Sequence, residues 1–181
     1  HAVACALPFV DDDVSVAVLF GDDIVDAKTP AIAQLIACHR EHRSSVVAVA
    51  PVPRAETHLY GVIAGKRVAS RTYDGREFGE KPTPSDAPTN LAVLGRYIIT
   101  PPVARILREQ KPGKDGEIRL ADAFVVAIGK GEPLFAREIE GTWYGCGDKL
   151  GFLQANVAFA LRHPELKGEF RKFLKDITKH A

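Results

Sequence analysis

The segment GEKP at residues 79–82, followed by NLAVLGRYII at residues 90–99, is the part of this sequence that decides the fold. An acid and a base, Glu80 and Lys81, stand side by side where one predicted strand ends, and Pro82 stops that strand before the next apolar run. A carboxylate accepts hydrogen bonds from sugar hydroxyls, whereas an ammonium presents compact positive charge to phosphate oxygens. The pair therefore fits a sugar phosphate, although composition alone would favour a solvated turn.

The length and composition are typical of one soluble globular domain. The chain has 181 residues, of which 46% are hydrophobic and 26% are charged, and its formal net charge is +1. Because so small a charge creates no overall field, we expect no nucleic-acid partner and no membrane partner. The three cysteines have unrelated spacings, which indicates reduced thiols in a cytoplasmic protein. We expect a single domain over residues 1–181.

Apolar runs alternate with helical patterns along the chain, which predicts an α/β domain with a mixed, mostly parallel sheet. The runs at residues 14–20 and 45–52 are continuous, a pattern typical of strands buried on both faces. A hairpin is predicted over residues 60–70, turning at Ala64-Gly65, and an edge strand is predicted over residues 134–140.

Helices are predicted to begin after Thr29 and Thr100, because each threonine is a good cap and precedes a proline. The final helices should occupy about residues 149–179. The last of them has an apolar face, which we expect to pack on the core or on a second subunit. The residues of this face are Phe170, Phe173, Leu174 and Ile177.

Two groups of residues are candidate metal ligands. Asp22 follows the apolar run at residues 14–20, and ligands of open α/β sheets bind beyond the carboxyl ends of strands, although a solvated turn is the alternative. Cys38, His39 and His42 lie close together on a predicted helix and could hold zinc. No second pair of zinc ligands accompanies them, and the neighbouring charges favour a wet helix end.

Ordered segments covering nearly the whole chain resemble those of the bacterial UTP–glucose-1-phosphate uridylyltransferases, also called UDP-glucose pyrophosphorylases. A single EKP means little, but the long run from Cys146 and the shared order make the resemblance specific. The segments are HAVACA at 1–6, VAVLFGDD at 16–23, YGVI at 60–63, EKP at 80–82, APTNLAVLGRY at 87–97, GEIRLADA at 116–123 and CGDKLGFLQANVAFALRHPEL at 146–166.

The resemblance implies a Rossmann-like sugar nucleotidyltransferase fold and an enzyme that makes UDP-glucose and pyrophosphate from UTP and glucose 1-phosphate. Such a reaction brings two polyanions together, so catalysis is mainly positioning and charge neutralisation. The resemblance also implies Mg²⁺ as the cofactor and a homo-oligomeric assembly. In the family a nucleotide-binding segment precedes the residue that matches His1, so the N-terminal part is missing here, and we expect this chain alone to be inactive.

The resemblance assigns roles to single residues. Asp22 matches the metal-holding aspartate, and Lys81 matches the lysine that binds the sugar phosphate; these two are the candidate catalytic residues. Glu80 matches the acid that binds sugar hydroxyls. The other matches to substrate-binding positions are Gly61, Val93, Tyr97 and Ala2.

The chain departs from the family near this site. Gly145 stands where the family usually has an aspartate, which is the second metal ligand in the wider group; Asp148 could partly replace it, or a left-handed backbone could require glycine. Arg119 and Ala121 replace glutamine and threonine. Two alternatives stay open: a non-catalytic regulatory relative that binds sugar nucleotide, and a related thymidylyltransferase.

Overall fold

The structure is a computed structural model that describes residues 1–113 and 116–179. The α-helices in chain order are α1 (Ala2–Ala6), α2 (Ala31–His42), α3 (Pro101–Glu109), α4 (Leu120–Gly129), α5 (Lys149–Ala160) and α6 (Lys167–Thr178). The strands are β1 (Val16–Leu19), β2 (Asp23–Asp26), β3 (Ser45–Pro51), β4 (Gly61–Ala69), β5 (Thr72–Glu80), β6 (Leu91–Ile99), β7 (Leu134–Glu138) and β8 (Thr142–Gly145). Short 3₁₀ helices cover Leu7–Phe9 and Arg54–Leu59.

The main sheet has six strands in the order β1-β6-β3-β7-β5-β4, and β6 also pairs with β4. Strands β2 and β8 form a separate two-stranded ribbon. Among the strand pairs that the structure describes, β3–β7 is parallel and the others are antiparallel. The predicted mixed α/β sheet is confirmed, but the prediction that it is mostly parallel is wrong. The short connection of β4 to β5, through Ser70 and Arg71, permits only antiparallel pairing.

The continuous apolar run of β3 reflects burial by helices on both faces of the sheet. Successive side chains of a strand point to opposite faces. Val47 and Val49 join the core cluster that includes residues of α3 and α4, whereas Val46 and Ala48 join the cluster that includes residues of α2. Double-sided burial therefore explains the pattern even though β3 has one parallel neighbour, β7, and one antiparallel neighbour, β6.

The predicted positions of two other strands in the sheet, β1 and β7, are also wrong. Strand β1 pairs only with β6 in the described sheet, and its residues alternate between half-buried and exposed rather than being buried on both faces. Strand β7 lies between β3 and β5 instead of at an edge, with Leu134 and Ala136 fully buried. Periodicity reports which residues are covered, but the position of a strand in the sheet depends on pairing with distant segments.

The predicted hairpin exists, but its turn is not at Ala64-Gly65. Strand β4 continues through these residues, where its register against β5 shifts, and the chain turns at Ser70-Arg71. A Cβ atom on Gly65 would collide with the backbone of Asp74. Glycine is therefore required here by the close approach of two strands.

The predicted helices are confirmed, including those within about residues 149–179. Helix α2 begins at Ala31 after Pro30, and α3 begins at Pro101 after Thr100. Neither threonine caps its helix through its side chain. The Thr100 hydroxyl instead lies 2.9 Å from the hydroxyl of Ser45 on β3.

The residues that raised the possibility of zinc have other roles in the fold. Cys38 is buried in the core, His39 Nδ1 lies 2.7 Å from the carbonyl oxygen of Ser44, and the His42 ring stacks on Phe135 with 3.9 Å between centroids. Within residues 1–113 and 116–179, no group of three or more histidine, cysteine or acidic side chains could hold a metal. Of the described helices, none has the length and apolarity that crossing a membrane requires. The single domain over residues 1–181 stays a prediction.

Candidate active site

One open cleft of about 790 Å³ brings the predicted site residues together. Its lining includes Asp22, Gly61, Glu80, Lys81, Val93, Tyr97 and Ala2. We distinguish two sides. The strand wall consists of Gly61, Glu80, Lys81, Val93 and Tyr97, which lie on or directly after β4, β5 and β6. The turn wall consists of residues 20–23, which lead from β1 into β2 and of which Phe20, Asp22 and Asp23 line the cleft. Residues 145–147 support this wall through backbone contacts with Asp22 and Asp23.

The strand wall begins with a glycine placed directly across from an acid. Gly61 on β4 pairs with Glu80 on β5. A Cβ atom on Gly61 would lie 3.1 Å from Glu80 Oε2 and 3.3 Å from the ring of Phe78. Because such contacts are tighter than most real Cβ contacts, a side chain at position 61 would push the Glu80 carboxylate out of place.

Lys81 leaves the end of β5 with a left-handed backbone. Its φ angle is +48°, which is uncommon for a residue with a side chain. The backbone N–H of Lys81 donates to the carbonyl oxygen of Tyr60 at 3.0 Å, which fixes this turn against the start of β4. The two strands thus hold Glu80 and Lys81 as a pair at the edge of the cleft.

Partial burial raises the pKa of Glu80 above its ordinary value, while the positive charges of Lys81 and Arg119 oppose that rise. Glu80 keeps an exposed edge toward the open cleft. The cleft therefore removes part of the water from a carboxylate and places cations nearby. Such a carboxylate gains from sugar hydroxyls that replace the lost water.

The floor of the strand wall is aromatic and apolar. Val93 and Tyr97 on β6 are both buried. The Tyr97 ring contacts Phe20 edge-on at 5.4 Å and stacks on Phe124 at 5.9 Å between centroids. Burial raises the pKa of Tyr97 far above its ordinary value, so its phenol stays neutral. The floor can therefore cover an apolar sugar face without adding charge.

On the turn wall, the two aspartates have different surroundings. The Asp23 carboxylate accepts hydrogen bonds from the backbone N–H of Gly95, at 2.8 Å, and from the indole N–H of Trp143. Within the described part of the chain, the Asp22 carboxylate accepts no hydrogen bond, and it lines the cleft. Asp23 is therefore a structural residue, whereas Asp22 is available to a ligand.

The loop after β8 packs directly against Asp22. The backbone N–H of Cys146 donates to the Asp22 carbonyl oxygen at 2.6 Å. A Cβ atom on Gly147 would lie 3.1 Å from Asp22 Oδ2, so glycine leaves room for this carboxylate. Gly145 pairs with Asp23 in the β2–β8 ribbon.

The structure bears on two alternatives for Gly145, the need for a left-handed backbone and replacement of the acid by Asp148. Its φ angle lies outside the left-handed region, so the idea that a left-handed backbone requires glycine there is wrong. Asp148 caps α5, accepting hydrogen bonds from the backbone N–H groups of Leu150 and Gly151 at 2.8 and 2.9 Å. Both bonds are accepted by Oδ1, so only Oδ2 is left to take over the role of an acid at position 145, and that role of Asp148 stays a prediction.

Sequence reasoning missed the residues that support this wall. Arg96, Gly95 and Trp143 contact residues 20–23 through hydrogen bonds over long sequence separations. A signal was present, since a glycine and an arginine interrupt the apolar run of β6. Arg119 also lines the cleft, and its Nε donates to Glu117 at 3.1 Å.

Comparison with known proteins identifies consistent similarities. The sequence profile described as nucleotidyl transferase matches residues 1–161. The chain is 41% identical over 177 residues to the UTP–glucose-1-phosphate uridylyltransferase of Staphylococcus haemolyticus, a match that covers 98% of this chain and 61% of that protein.

Solved structures are similar as well. The crystal structure of a UDP-glucose pyrophosphorylase complexed with UDP-glucose matches with a TM-score of 0.83 and 33% identity, over 90% of this chain and 62% of that one. A UTP-bound enzyme from Acinetobacter baumannii matches with a TM-score of 0.83 and 28% identity, over 96% of this chain and 60% of that one. The chain thus spans about 60% of the length of the relatives that it matches.

Proposed function

The chain belongs to the nucleotidyl transferase family, and from that premise we propose that it acts in a UTP–glucose-1-phosphate uridylyltransferase. The reaction would join UTP and glucose 1-phosphate into UDP-glucose, with release of pyrophosphate. The observation that carries this proposal is the single cleft in which Gly61, Glu80 and Lys81 face the same space as Asp22. The names of the similar proteins, which include UDP-glucose and UTP complexes, support the choice of substrates.

The reaction itself requires no nucleophile from the protein. An oxygen of the sugar phosphate attacks the α-phosphorus of UTP; a new phosphorus–oxygen bond forms as the bond to the β-phosphate oxygen breaks, and pyrophosphate leaves. Both reactants are anions, so the protein contributes orientation and positive charge. The residues of the cleft are suited to these two tasks.

The strand wall would bind the sugar phosphate. Lys81 would neutralise the phosphate as it reacts, and Glu80 would accept hydrogen bonds from the hydroxyls. Gly61 leaves space for the sugar beside Glu80, and Val93 and Tyr97 would cover its other side. Ala2, at the start of α1, also lines the cleft, and the resemblance assigns it to the edge of the uracil site.

Asp22 is the residue that would hold a divalent cation, and we propose Mg²⁺. The Asp22 carboxylate faces the cleft and accepts no hydrogen bond within residues 1–113 and 116–179, so it fits a cation that takes its other ligands from phosphate oxygens and water. When bound, such a cation neutralises phosphate charge. The protein's own part is to keep Asp22 fixed at the cleft.

One observation favours a second candidate function. The turn wall has Gly145 where an acid would add a second carboxylate, and Asp148 is engaged in capping α5. A protein that binds sugar nucleotide without turnover would tolerate this change. Steady-state activity of the protein at the length of its relatives distinguishes the two functions.

The test uses this chain joined at its N-terminus to the corresponding segment of a curated relative, here called the extended protein. We expect UTP- and glucose 1-phosphate-dependent release of pyrophosphate from the extended protein. UDP-glucose should also raise the melting temperature of the extended protein. Binding of UDP-glucose without turnover would support the non-catalytic function, and neither binding nor turnover would contradict both.

We propose that the protein forms homo-oligomers through α6. No described residue of α6 is buried, and Phe173 and Ile177 remain 54% and 47% exposed. The helix also carries acidic and basic side chains, among them Glu169 and Arg171, so a second copy in antiparallel orientation can pair unlike charges. A second copy of the chain is therefore the partner that this face fits.

Light scattering of the extended protein at micromolar concentration tests the assembly. We expect Phe173→Asp to reduce the measured mass to that of a monomer. Phe9→Asp is the matched control, because Phe9 is 90% exposed on another part of the chain. A monomeric parent protein would contradict the proposal.

We also propose that the protein is cytoplasmic. Cys5, Cys38 and Cys146 are all free thiols, which is the usual state of cysteine in a reducing compartment. Fractionation of cells that produce the protein tests this location.

A further inference from the structure

We infer that Arg96 is a positioning residue for Asp22, because its guanidinium donates hydrogen bonds to the backbone carbonyl oxygens of Phe20 and Asp23, on either side of Gly21-Asp22. The inference rests on the proposed role of Asp22 as the metal-holding residue. It concerns a different question, which is how an aspartate outside any strand keeps its place at the cleft.

The need for a positioning residue follows from the topology. Strand β1 ends at Leu19 in the six-stranded sheet, and β2 begins at Asp23 in the two-stranded ribbon. Residues 20–22 cross from one sheet to the other: Phe20 and Asp22 each make one backbone hydrogen bond, to Gly95 and to Cys146, but Gly21 between them belongs to neither strand ladder. A Cβ atom on Gly21 would meet no atom within 4 Å, so packing does not confine this residue either.

Arg96 provides hydrogen bonds at both ends of this crossing. Its Nη1 donates to the carbonyl oxygens of Phe20 and Gly95, and its Nη2 donates to the carbonyl oxygen of Asp23. Two of these acceptors, the carbonyl oxygens of Phe20 and Asp23, belong to the residues directly before and after Gly21-Asp22. A planar guanidinium has several donors in fixed directions, and this arrangement lets one side chain hold separate carbonyl groups at a set spacing.

The residue before Arg96 reinforces the same crossing. The backbone N–H of Gly95 donates to the Asp23 carboxylate, and the backbone N–H of Phe20 donates to the Gly95 carbonyl oxygen, each at 2.8 Å. Gly95 must be a glycine, since a Cβ atom there would lie 2.6 Å from Phe20 Cβ. Strand β6 therefore fixes residues 20–23 through the hydrogen bonds of both Gly95 and Arg96.

Trp143 gives this arrangement a spectroscopic reporter. It is the one tryptophan in the sequence, and its indole N–H donates to the Asp23 carboxylate. A shift of Asp23 should change the polarity around the indole and hence the emission of Trp143. A bound paramagnetic Mn²⁺ ion at Asp22 should also quench that emission.

In the experiment, Mn²⁺ is titrated into the extended protein in the presence of UTP. The readouts are the fluorescence emission of Trp143 and the electron paramagnetic resonance signal of free Mn²⁺. Any tryptophan of the added N-terminal segment is replaced by phenylalanine. Arg96→Lys keeps charge but lacks the planar fork. We expect it to shift the metal-free emission of Trp143 and to raise the half-saturating Mn²⁺ concentration about tenfold or more. Guanidinium ion at non-denaturing concentration should partly restore Mn²⁺ binding to Arg96→Ala.

The matched control is Arg137→Lys. Arg137 also donates to a backbone carbonyl, that of Ser70, at 2.9 Å, and to the Thr72 hydroxyl at 3.0 Å, but it lies outside the cleft lining. We expect it to lower the melting temperature while leaving Trp143 emission and Mn²⁺ binding unchanged. Equal effects of both lysine variants on Mn²⁺ binding would show a general stability effect and overturn the inference.

Asp22→Asn separates this inference from the proposed function. We expect Asp22→Asn to lose Mn²⁺ binding while keeping the metal-free emission of Trp143. If Asp22→Asn bound Mn²⁺ normally, the proposed role of Asp22 would fail, and the inference with it. If Asp22→Asn lost the metal but Arg96→Lys bound it like the parent, only the positioning role of Arg96 would be overturned.

Discussion

The two walls of the cleft reach their geometry by opposite means. On the strand wall, ladder pairing between β4 and β5 places Gly61 beside Glu80, and the next residue along the chain is Lys81. On the turn wall, Asp22 lies between two different sheets. Arg96 binds the carbonyl oxygen of the neighbouring Phe20, Cys146 binds the carbonyl oxygen of Asp22, and Gly147 leaves room for the Asp22 carboxylate. Local strand pairing suffices for one wall, whereas the other depends on contacts from distant segments.

The two walls therefore differ in whether the residues that contact substrate are also the residues that hold the site in shape. On the strand wall, substitutions should affect the bound sugar phosphate directly, because the chemical groups and their supports are the same residues. On the turn wall, the group proposed to act is Asp22, but its position depends on residues that touch no substrate. Kinetic measurements on variants of either wall use the extended protein.

Lys81→Ala should have the largest effect. Loss of a charge-assisted contact to the reacting phosphate should cost roughly 2–4 kcal/mol of barrier. This corresponds to about a 30- to 900-fold fall in kcat/KM. Alanine suits the position as well as lysine does, because both have a Cβ at the left-handed φ of +48°. Glu80→Ala should cost less, since Glu80 orients neutral hydroxyls.

Lys66→Ala is the control, because Lys66 is an exposed residue of β4 that does not line the cleft. It should leave kcat/KM unchanged. A larger loss from Glu80→Ala than from Lys81→Ala would reverse the two assignments on the strand wall.

Gly61→Ala should have an intermediate effect. The added Cβ would lie 3.1 Å from Glu80 Oε2, so the carboxylate and the Phe78 ring must give way by a few tenths of an ångström. We expect an overpacking cost of about 1 kcal/mol in sugar-phosphate binding, or about a fivefold rise in the KM of glucose 1-phosphate. The KM of UTP should not change.

Gly79→Ala provides a control on the same hairpin. A Cβ atom there would meet only Val62 Cγ2, at an ordinary distance of 3.7 Å. An equal rise in KM from Gly79→Ala and Gly61→Ala would show that the effect comes from the hairpin as a whole and not from the space beside Glu80.

Gly145→Asp tests the turn wall by restoring an acid. Gly145 pairs with Asp23, and side chains directly opposite in an antiparallel pair share a face. The new carboxylate would therefore lie near that of Asp23. We expect a lower melting temperature without metal, a larger rise on adding Mg²⁺, and roughly a fivefold lower half-saturating Mg²⁺ concentration for activity.

Gly145→Asn is the control, because it has almost the same shape without the charge. A Cβ atom at position 145 lies 3.4 Å from the Trp143 ring, so both variants should be accommodated. An unchanged Mg²⁺ requirement in Gly145→Asp, with equal melting temperatures for the two variants, would contradict a metal role for this position.

The contrast also explains which features the sequence predicts. Helix boundaries and the strands around Glu80 follow from local signals such as Pro101 and Pro82, and these predictions agree with the structure. Strand order does not follow, because the apolar pattern of β3 is the same whether its neighbours are parallel or antiparallel. The predicted edge position of β7 fails for the same reason, since pairing with β3 and β5 involves distant segments.

The candidate site divides in the same way. Residue types and resemblance identify the residues that line the cleft, and their catalytic and binding roles stay predictions. The contacts of Arg96 and Trp143 with residues 20–23 span separations of 73 to 120 residues, and no spacing rule connects them. Only the folded chain shows that the conspicuous second aspartate, Asp23, is a structural residue.

The smallest expected effect is a pH dependence that originates at Glu80. Burial raises the pKa of this carboxyl in the folded protein, and Lys81 opposes the rise. The folded state therefore binds the Glu80 proton more tightly than the unfolded state does. The contribution of Glu80 to the free energy of unfolding is therefore largest below the ordinary pKa of glutamate. It falls as the pH rises through the raised pKa of the folded protein, and above that raised pKa it is constant.

Urea unfolding across this pH range measures the effect as a difference between the parent and Glu80→Gln. The free energy of unfolding of the parent should decline relative to Glu80→Gln as pH increases. Glu77→Gln, an exposed substitution on the same strand, should show no such trend. In a Lys81→Ala background the decline should become steeper, because the cation that lowers the pKa of Glu80 is gone. A parent that gained stability relative to Glu80→Gln with rising pH would mean that the cations of the cleft outweigh burial, and the strand wall would then be dominated by its charges rather than by its loss of water.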